Sequence, residues 1–247
     1  MKVHFVFKPT LGSSLSPYDS PIDAVRQLSY ARFQVALSLI QGTPANRVLD
    51  FGCWTGHFLT SLLKHFPEVW GVDDDSGSVL DAVPDSWTIL QVARRLCESE
   101  CGMGAHLGLA KATGSALPFS DGCFDIVFCI DTLTHVPASR RPGVIHELRR
   151  ITKRGGQLIF SLPIETGAVG LLRKAVRLLT GKHIDSATRS YDFRDDLESI
   201  RSSFSGCDAR YFPVNRLGAF NPFVVVDCRI EPERSGGSST ERDRAAV

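Results

Sequence analysis

Arg47-Val-Leu-Asp-Phe-Gly-Cys-Trp-Thr-Gly-His-Phe58 is the stretch that decides how the rest of the chain is read. Val48 and Leu49 form a short apolar run that reaches Asp50. Gly52 and Gly56 follow, and then Phe58, Leu59, Leu62 and Leu63 recur at helical spacing. A buried strand, a tight glycine-bearing turn and a helix is the simplest arrangement. In open α/β sheets such a junction lies at the carboxyl end of a strand, where nucleotide-like ligands bind. Glycine suits the turn because a Cβ would block close approach of a ligand or exclude positive φ. The spacing Asp-x-Gly-x-x-x-Gly departs from the Gly-x-Gly-x-x-Gly of dinucleotide-binding sheets, which argues against a nicotinamide cofactor.

Downstream, Pro67 breaks the helix that His57 begins, and Glu68-Val-Trp-Gly-Val-Asp-Asp-Asp75 supplies a second short strand ending in acid. A carboxylate there is placed to accept hydrogen bonds from both hydroxyls of a ribose. Asp73, the first acid after Gly71-Val72, follows Asp50 by about one βαβ unit and is the candidate; Asp74 and Asp75 read as turn or capping residues. His106 to Ala112 reads as a third strand.

Ala116-Leu-Pro-Phe-Ser-Asp-Gly-Cys-Phe-Asp-Ile-Val-Phe-Cys-Ile-Asp-Thr-Leu-Thr-His-Val136 is the most specific string. Leu117-Pro118-Phe119 reads as a rigid apolar flap and Ser120-Asp121-Gly122 as a turn, before a buried strand from Phe124 through Ile130 that ends at Asp131. Together with the glycine turn and Asp73, this string resembles the class I S-adenosylmethionine (SAM) dependent methyltransferases of small-molecule type, over roughly residues 46–163. The resemblance implies an α/β, Rossmann-like, doubly wound and mostly parallel seven-stranded sheet whose last strand is antiparallel. It implies SAM as cofactor and a small-molecule acceptor methylated at O, N or C by direct displacement. Carried onto this chain, Asp50, Gly52, Cys53, Trp54 and Gly56 border the cofactor's methionine end and Asp73 takes the ribose. Thr113, Gly114 and Ser115 border adenine, and Asp131 orients the cofactor's amino group or the acceptor. His135 is the candidate general base for a hydroxyl acceptor. Two departures stand out. Trp54 occupies a position usually held by glycine, and Thr113 one usually held by an acid that contacts the adenine amino group. Both leave open an alternative, a non-catalytic binding or partner subunit on the same fold.

Around this core, residues 1–20 read as an irregular arm. Ser20-Pro21 opens an amphipathic helix through Ile40, with Val25, Leu28, Ala31, Val35, Ala36 and Leu39 on its apolar side. In the resembling family such a helix covers the cofactor pocket. Another helical segment runs roughly from Trp87 to Cys97, and Pro142 to Ile151 reads as a helix with Arg149, Arg150, Lys153 and Arg154 at its end. Those cations complement the helix dipole and Gly155-Gly156 is expected to stop the helix, so no nucleic-acid surface is needed to explain them. Gln157 to Leu162 is the expected fifth strand. A helix over 167–180 carries basic residues on one face, which permits peripheral membrane contact over 169–180. An amphipathic segment to Phe204 and strands over 209–214 and 223–230 complete the domain, 21–230; residues 231–247 read as a disordered tail.

The formal net charge of +1, with 22% charged residues, gives no reason to expect a polyanionic partner such as nucleic acid. The seven cysteines cannot all pair; Cys53, Cys123, Cys129 and Cys228 fall in segments that look buried, and small buried thiols of a reducing compartment are the expected reading. Cys97-x-x-x-Cys101 lacks a third cysteine, since position 104 is Gly104, and no metal site is assigned. Met1 to Phe7 is too short an apolar run for a signal peptide, and no stretch approaches a membrane span, so a cytoplasmic location is expected. Neither the acceptor nor the oligomeric state is legible here.

Overall fold

A computed structural model describes residues 23–75, 88–101, 106–164, 191–212 and 222–231. The expected N-terminal arm, the Ser20-Pro21 helix start, the segment over 167–180 and the tail after Glu231 lie outside the described residues.

The chain opens with helix α1 (Asp23–Leu39), then alternates strands and helices. Strand β1 (Arg47–Phe51) is followed by α2 (His57–Leu62), β2 (Glu68–Asp73), α3 (Ile89–Cys101) and β3 (His106–Lys111). Beyond them lie β4 (Phe124–Ile130), α4 (Arg141–Ile151), β5 (Thr152–Pro163), α5 (Phe193–Ser203), β6 (Cys207–Phe212) and β7 (Phe223–Arg229). The strands form one sheet in the order β3-β2-β1-β4-β5-β7-β6. Pairing is parallel from β3 to β5, whereas β7 inserts between β5 and β6 and runs antiparallel to both. This is the doubly wound architecture with an antiparallel last strand that the sequence predicts.

Burial on both faces explains the near-continuous apolar strands. Leu49, Val127, Phe160 and Val226 point into the layer shared with α4 and α5, where Val144, Ile145, Leu148, Leu197 and Ile200 pack. Val48, Phe128, Ile159 and Val225 point the opposite way, toward Phe33, Leu37, Phe58, Leu59 and Ala93 of α1, α2 and α3. The Phe124-Asp125 pair ties the strands at their amino ends. Asp125 Oδ2 accepts the backbone N–H groups of Asn46 and Arg47 at 2.9 Å, and its Oδ1 takes Lys153 Nζ at 2.5 Å.

Two expectations are corrected. Gly155-Gly156 does not stop α4, which ends at Ile151 as Thr152 turns extended. The glycines lie inside β5, which therefore begins well before Gln157. The β4–β5 register jumps from Phe124↔Thr152 to Ile126↔Gln157, so the two glycines build a bulge. Gly155 sits at φ +75°, and a Cβ on Gly156 would meet the carbonyl oxygens of Lys153 and Asp125 at 2.7 and 2.8 Å. The second correction concerns the cysteines. Cys53 and Cys129 are buried thiols as expected, but Cys123 is only partly buried and Cys228 is joined to Cys207 in a disulfide. The two face each other in the antiparallel β6–β7 register, a proximity that sequence spacing cannot reveal. Thiol titration of the denatured protein is expected to find five free thiols without reductant, the number left outside the disulfide. After reduction it should find all seven; seven from the start would show that the strands carry two thiols instead.

Candidate functional site

Strand order reverses between β1 and β4, the two strands from which the chain winds outward in opposite directions, and the crevice outside their carboxyl ends is where such sheets bind ligands. The glycine turn occupies this point. Gly52 N–H and Cys53 N–H both donate to Val72 O, at 2.7 and 3.0 Å, folding the turn back over β2. Gly52 has φ +76°, and an added Cβ would lie 2.2 Å from the Thr132 side chain that follows β4. Thr132 Oγ1 in turn donates to Phe51 O at 2.9 Å. Gly56, at φ +84°, is the residue before α2, and its Cβ would meet Ala93 of α3 at 3.0 Å. Both glycines are thus demanded by the protein's own packing as well as by backbone conformation.

Among the described residues, three others adopt left-handed backbone without being glycine: Trp54, Asp75 and Asp131, at φ 48°, 57° and 63°. They follow β1, β2 and β4, all on one edge of the sheet. Non-glycine residues in this region cost energy and concentrate where a site needs a particular geometry. Trp54 keeps the conformation that a glycine would adopt freely, and its indole is the one large apolar side chain exposed among the described residues. Its N–H donates to Asp73 Oδ2 at 3.0 Å, and Asp75 N–H donates to Asp73 Oδ1 at 3.1 Å. Asp73 therefore has a structural task, holding two turns, while each oxygen keeps a second lone pair to offer.

Asp50, Gly52, Cys53 and Trp54 line one cleft with Ile130 of β4, His57 and Phe58 of α2, and Phe33 of α1. Burial, with the neighbouring Asp73 charge, raises the Asp50 carboxyl to about pKa 8. Burial raises Asp73 as well, against the lowering effect of its two backbone hydrogen bonds. The cleft floor is thus a place where a bound cation would be welcomed. Asp131 forms an ion pair with Arg32, a buried arginine of α1. Its Oδ1 is enclosed and accepts no hydrogen bond among the described residues.

The expected site residues divide into groups. Asp50, Gly52, Cys53, Trp54, Gly56, Asp73 and Asp131 converge on the switch point. Thr113 and Ser115 are exposed and joined through their hydroxyls at 3.2 Å. Their loop starts beside Asp73, because Ala112 N–H donates to Asp73 O at 3.0 Å. Gly114 is wedged between Phe51 and Val144, either of which an added Cβ would strike at 2.7 Å. His135 stands exposed at the end of a 3-10 turn, Leu133–His135, and is not among the residues lining the cleft. Sequence reasoning missed Arg32 and Phe33, although Arg32 lies within the apolar period of its helix, a signal that one charge there is put to use.

The sequence profile of a family described as "Methyltransferase domain" matches residues 49–160, the span that holds these strand ends. Over that span the chain is similar to the class I SAM-dependent methyltransferases. Among the relatives of this chain is Methyltransferase GfsG of Streptomyces halstedii, 26% identical over 80% of this chain and 63% of that one. A malonyl-[acyl-carrier protein] O-methyltransferase of Erwinia pyrifoliae is 35% identical over 47% of this chain and 37% of its own. The chain spans about half the length of the curated relatives it matches. Among solved structures, magnesium protoporphyrin IX methyltransferase from Synechocystis PCC 6803, with bound SAH, superposes with a TM-score of 0.58 at 17% identity. That likeness covers 86% of this chain and 91% of the other, and bears on the fold. No helix among the described residues is long and apolar enough to cross a membrane.

Two outcomes test this geometry. A carboxyl whose pKa is raised on folding contributes stability below its unfolded pKa, near 4, and that contribution is lost as pH rises through about 8. The melting temperature of the ligand-free protein is therefore expected to fall between pH 5 and pH 8. Asp50→Asn should flatten that slope and raise the value at pH 8. Separately, Trp54→Gly should relax the left-handed turn and stabilise the protein by roughly 1 kcal/mol in denaturant unfolding, whereas Trp54→Ala, which keeps a Cβ, should gain none of this.

Proposed function

We propose that this chain is a SAM-dependent methyltransferase that transfers a methyl group to a small-molecule acceptor. The observation that carries the reading is the set of carboxyl groups, Asp50, Asp73 and Asp131, at the ends of three neighbouring parallel strands around a glycine turn. When bound, the cofactor supplies a methyl group already activated by its sulfonium. Asp50 at the cleft floor and the enclosed Oδ1 of Asp131 suit the sulfonium and the ammonium of the methionine end. Asp73 offers its remaining lone pairs to the ribose hydroxyls. Thr113, Gly114 and Ser115 border adenine, with the backbone carrying more of that contact because Thr113 brings no charge.

The chain's own work is then alignment and exclusion of water, since displacement at an activated methyl needs no protein nucleophile. Phe33, Phe58, Ile130 and Trp54 give the cleft apolar walls around its acidic floor. The names of the relatives favour an oxygen acceptor, three of them being O-methyltransferases. For a hydroxyl acceptor, His135 is the base, on the turn that Asp131 opens. A second reading rests on Trp54, which lines the cleft where glycine is usual. If it fills the methionine subsite, the chain is a binding or partner subunit.

Calorimetry with S-adenosylhomocysteine decides between the two. Micromolar or tighter binding is expected, and absence of binding at high protein concentration would favour the partner subunit. Asp73→Ala should weaken binding roughly 100-fold, as expected for loss of hydrogen bonds to a charged acceptor. Because Asp73 also holds two turns, its melting temperature must be read beside the affinity. Cys97→Ala should bind normally. His135→Ala should lower kcat by about 100-fold with cofactor affinity intact, the usual weight of a general base.

A further inference from the structure

We infer that Arg150, paired with Glu147 on α4, is a positioning residue for the adenine side of the site. The inference rests on the cofactor reading above.

Every N–H of the Arg150 guanidinium is engaged. Nε donates to Glu147 Oε2 at 2.8 Å and Nη2 donates to Glu147 Oε1 at 2.7 Å, a two-pronged pair along one helix face. The other N–H groups reach the loop between β3 and β4. Nη2 donates to Leu117 O at 3.3 Å, and Nη1 donates to Phe119 O at 2.9 Å and to Asp121 Oδ1 at 2.6 Å. Glu147 Oε1 also accepts Leu117 N–H at 2.8 Å. Both backbone polar groups of Leu117 are therefore held by side chains of α4. A guanidinium has five N–H donors in a fixed planar fork, and all five are accounted for here. Hydrogen bonding from Arg150 holds the Glu147 carboxyl below its ordinary pKa, so the pair stays charged across the working pH range.

The loop is pinned at both ends of a short exposed stretch. On one side Gly114 is wedged between Phe51 and Val144. On the other, Leu117 is buried and Phe119 meets Trp70 and Phe124 edge-on, with centroids 5.3 and 4.9 Å away. Ser115 and Ala116 lie between the pins and are exposed. With a threonine at 113, no carboxylate is available at that position for the adenine amino group, so recognition falls to backbone atoms of this stretch. Backbone atoms recognise a base only if the peptide planes are fixed. The Arg150–Glu147 fork fixes them from the outside of the loop, without touching the ligand.

Arg150→Lys keeps the charge and loses the fork. The measurement is the affinity of full-length protein for S-adenosylhomocysteine and for its hypoxanthine analogue, S-inosylhomocysteine, by calorimetry, with melting temperatures taken in parallel. Wild type is expected to prefer the adenine compound. In Arg150→Lys that preference should shrink roughly tenfold, the weight of one hydrogen bond to the base. If Arg150→Lys is too unstable to assay, Glu147→Gln keeps the side-chain shape, removes the charge from the fork and should shrink the same ratio. An unchanged ratio in both variants, or equal weakening toward both compounds, would overturn the inference and leave the cofactor reading standing. Failure of wild type to bind either compound would overturn the cofactor reading and this inference with it.

Discussion

The contact between the Gly52 backbone and the Thr132 side chain is the constraint on which the site depends. A residue just beyond β1 and another just beyond β4 come so close that no Cβ fits between them. Thr132 bonds to Phe51 O and Ile130 O, so it staples the ends of the two central strands as well as filling the gap. This contact fixes how wide the crevice at the switch point can open, and so fixes the separation of Asp50 from Asp131. The strained residues Trp54 and Asp131 flank it in the chain. Once the strand ends are held this close, the chain must leave each one abruptly, and left-handed backbone is the short way out.

The site is acidic at its floor and apolar at its walls. A buried carboxyl such as Asp50 is costly unless protonated or faced by a cation, and among the described residues the cation found near these acids is Arg32, engaged with Asp131. A ligand with a permanent positive charge and a flat apolar portion meets both features. One carrying two phosphates, as a dinucleotide does, would bring negative charge to a floor that already repels it. The glycine spacing and the acidic strand ends both argue against the nicotinamide alternative.

Much of this was legible in the sequence because parallel strands buried on both faces are short, apolar and end in polar residues. Val48–Asp50, Val69–Asp73 and Phe124–Asp131 each announced a strand and the acid at its carboxyl end. Boundaries next to glycine were less legible. Gly155-Gly156 fits a helix stop as well as a strand bulge, and only the neighbouring strand's register separates them. Long-range pairings were hidden altogether. Arg32 meets Asp131, Cys207 meets Cys228, and Arg150 meets the Leu117–Asp121 loop across separations that no local pattern encodes. The Tyr191-Asp-Phe-Arg stretch lies between these cases. Asp192 accepts the Arg194 N–H and caps α5, a local signal, while Tyr191 O–H donates to Asp196, a buried contact that shows only once the helix is folded.

The basic run at the end of α4 illustrates how formal charge and outward field part company. Arg150 spends all its donors on Glu147, Asp121 and two carbonyl oxygens, and Lys153 is committed to Asp125. Arg149 donates to Ser203 O and lies over the Phe204 ring. A polyanion approaching Arg149, Arg150 and Lys153 would meet cations already neutralised or turned toward their own chain. Counted as letters the segment is a basic cluster, but counted by what its nitrogens touch it is internal wiring between two helices, a loop and a strand.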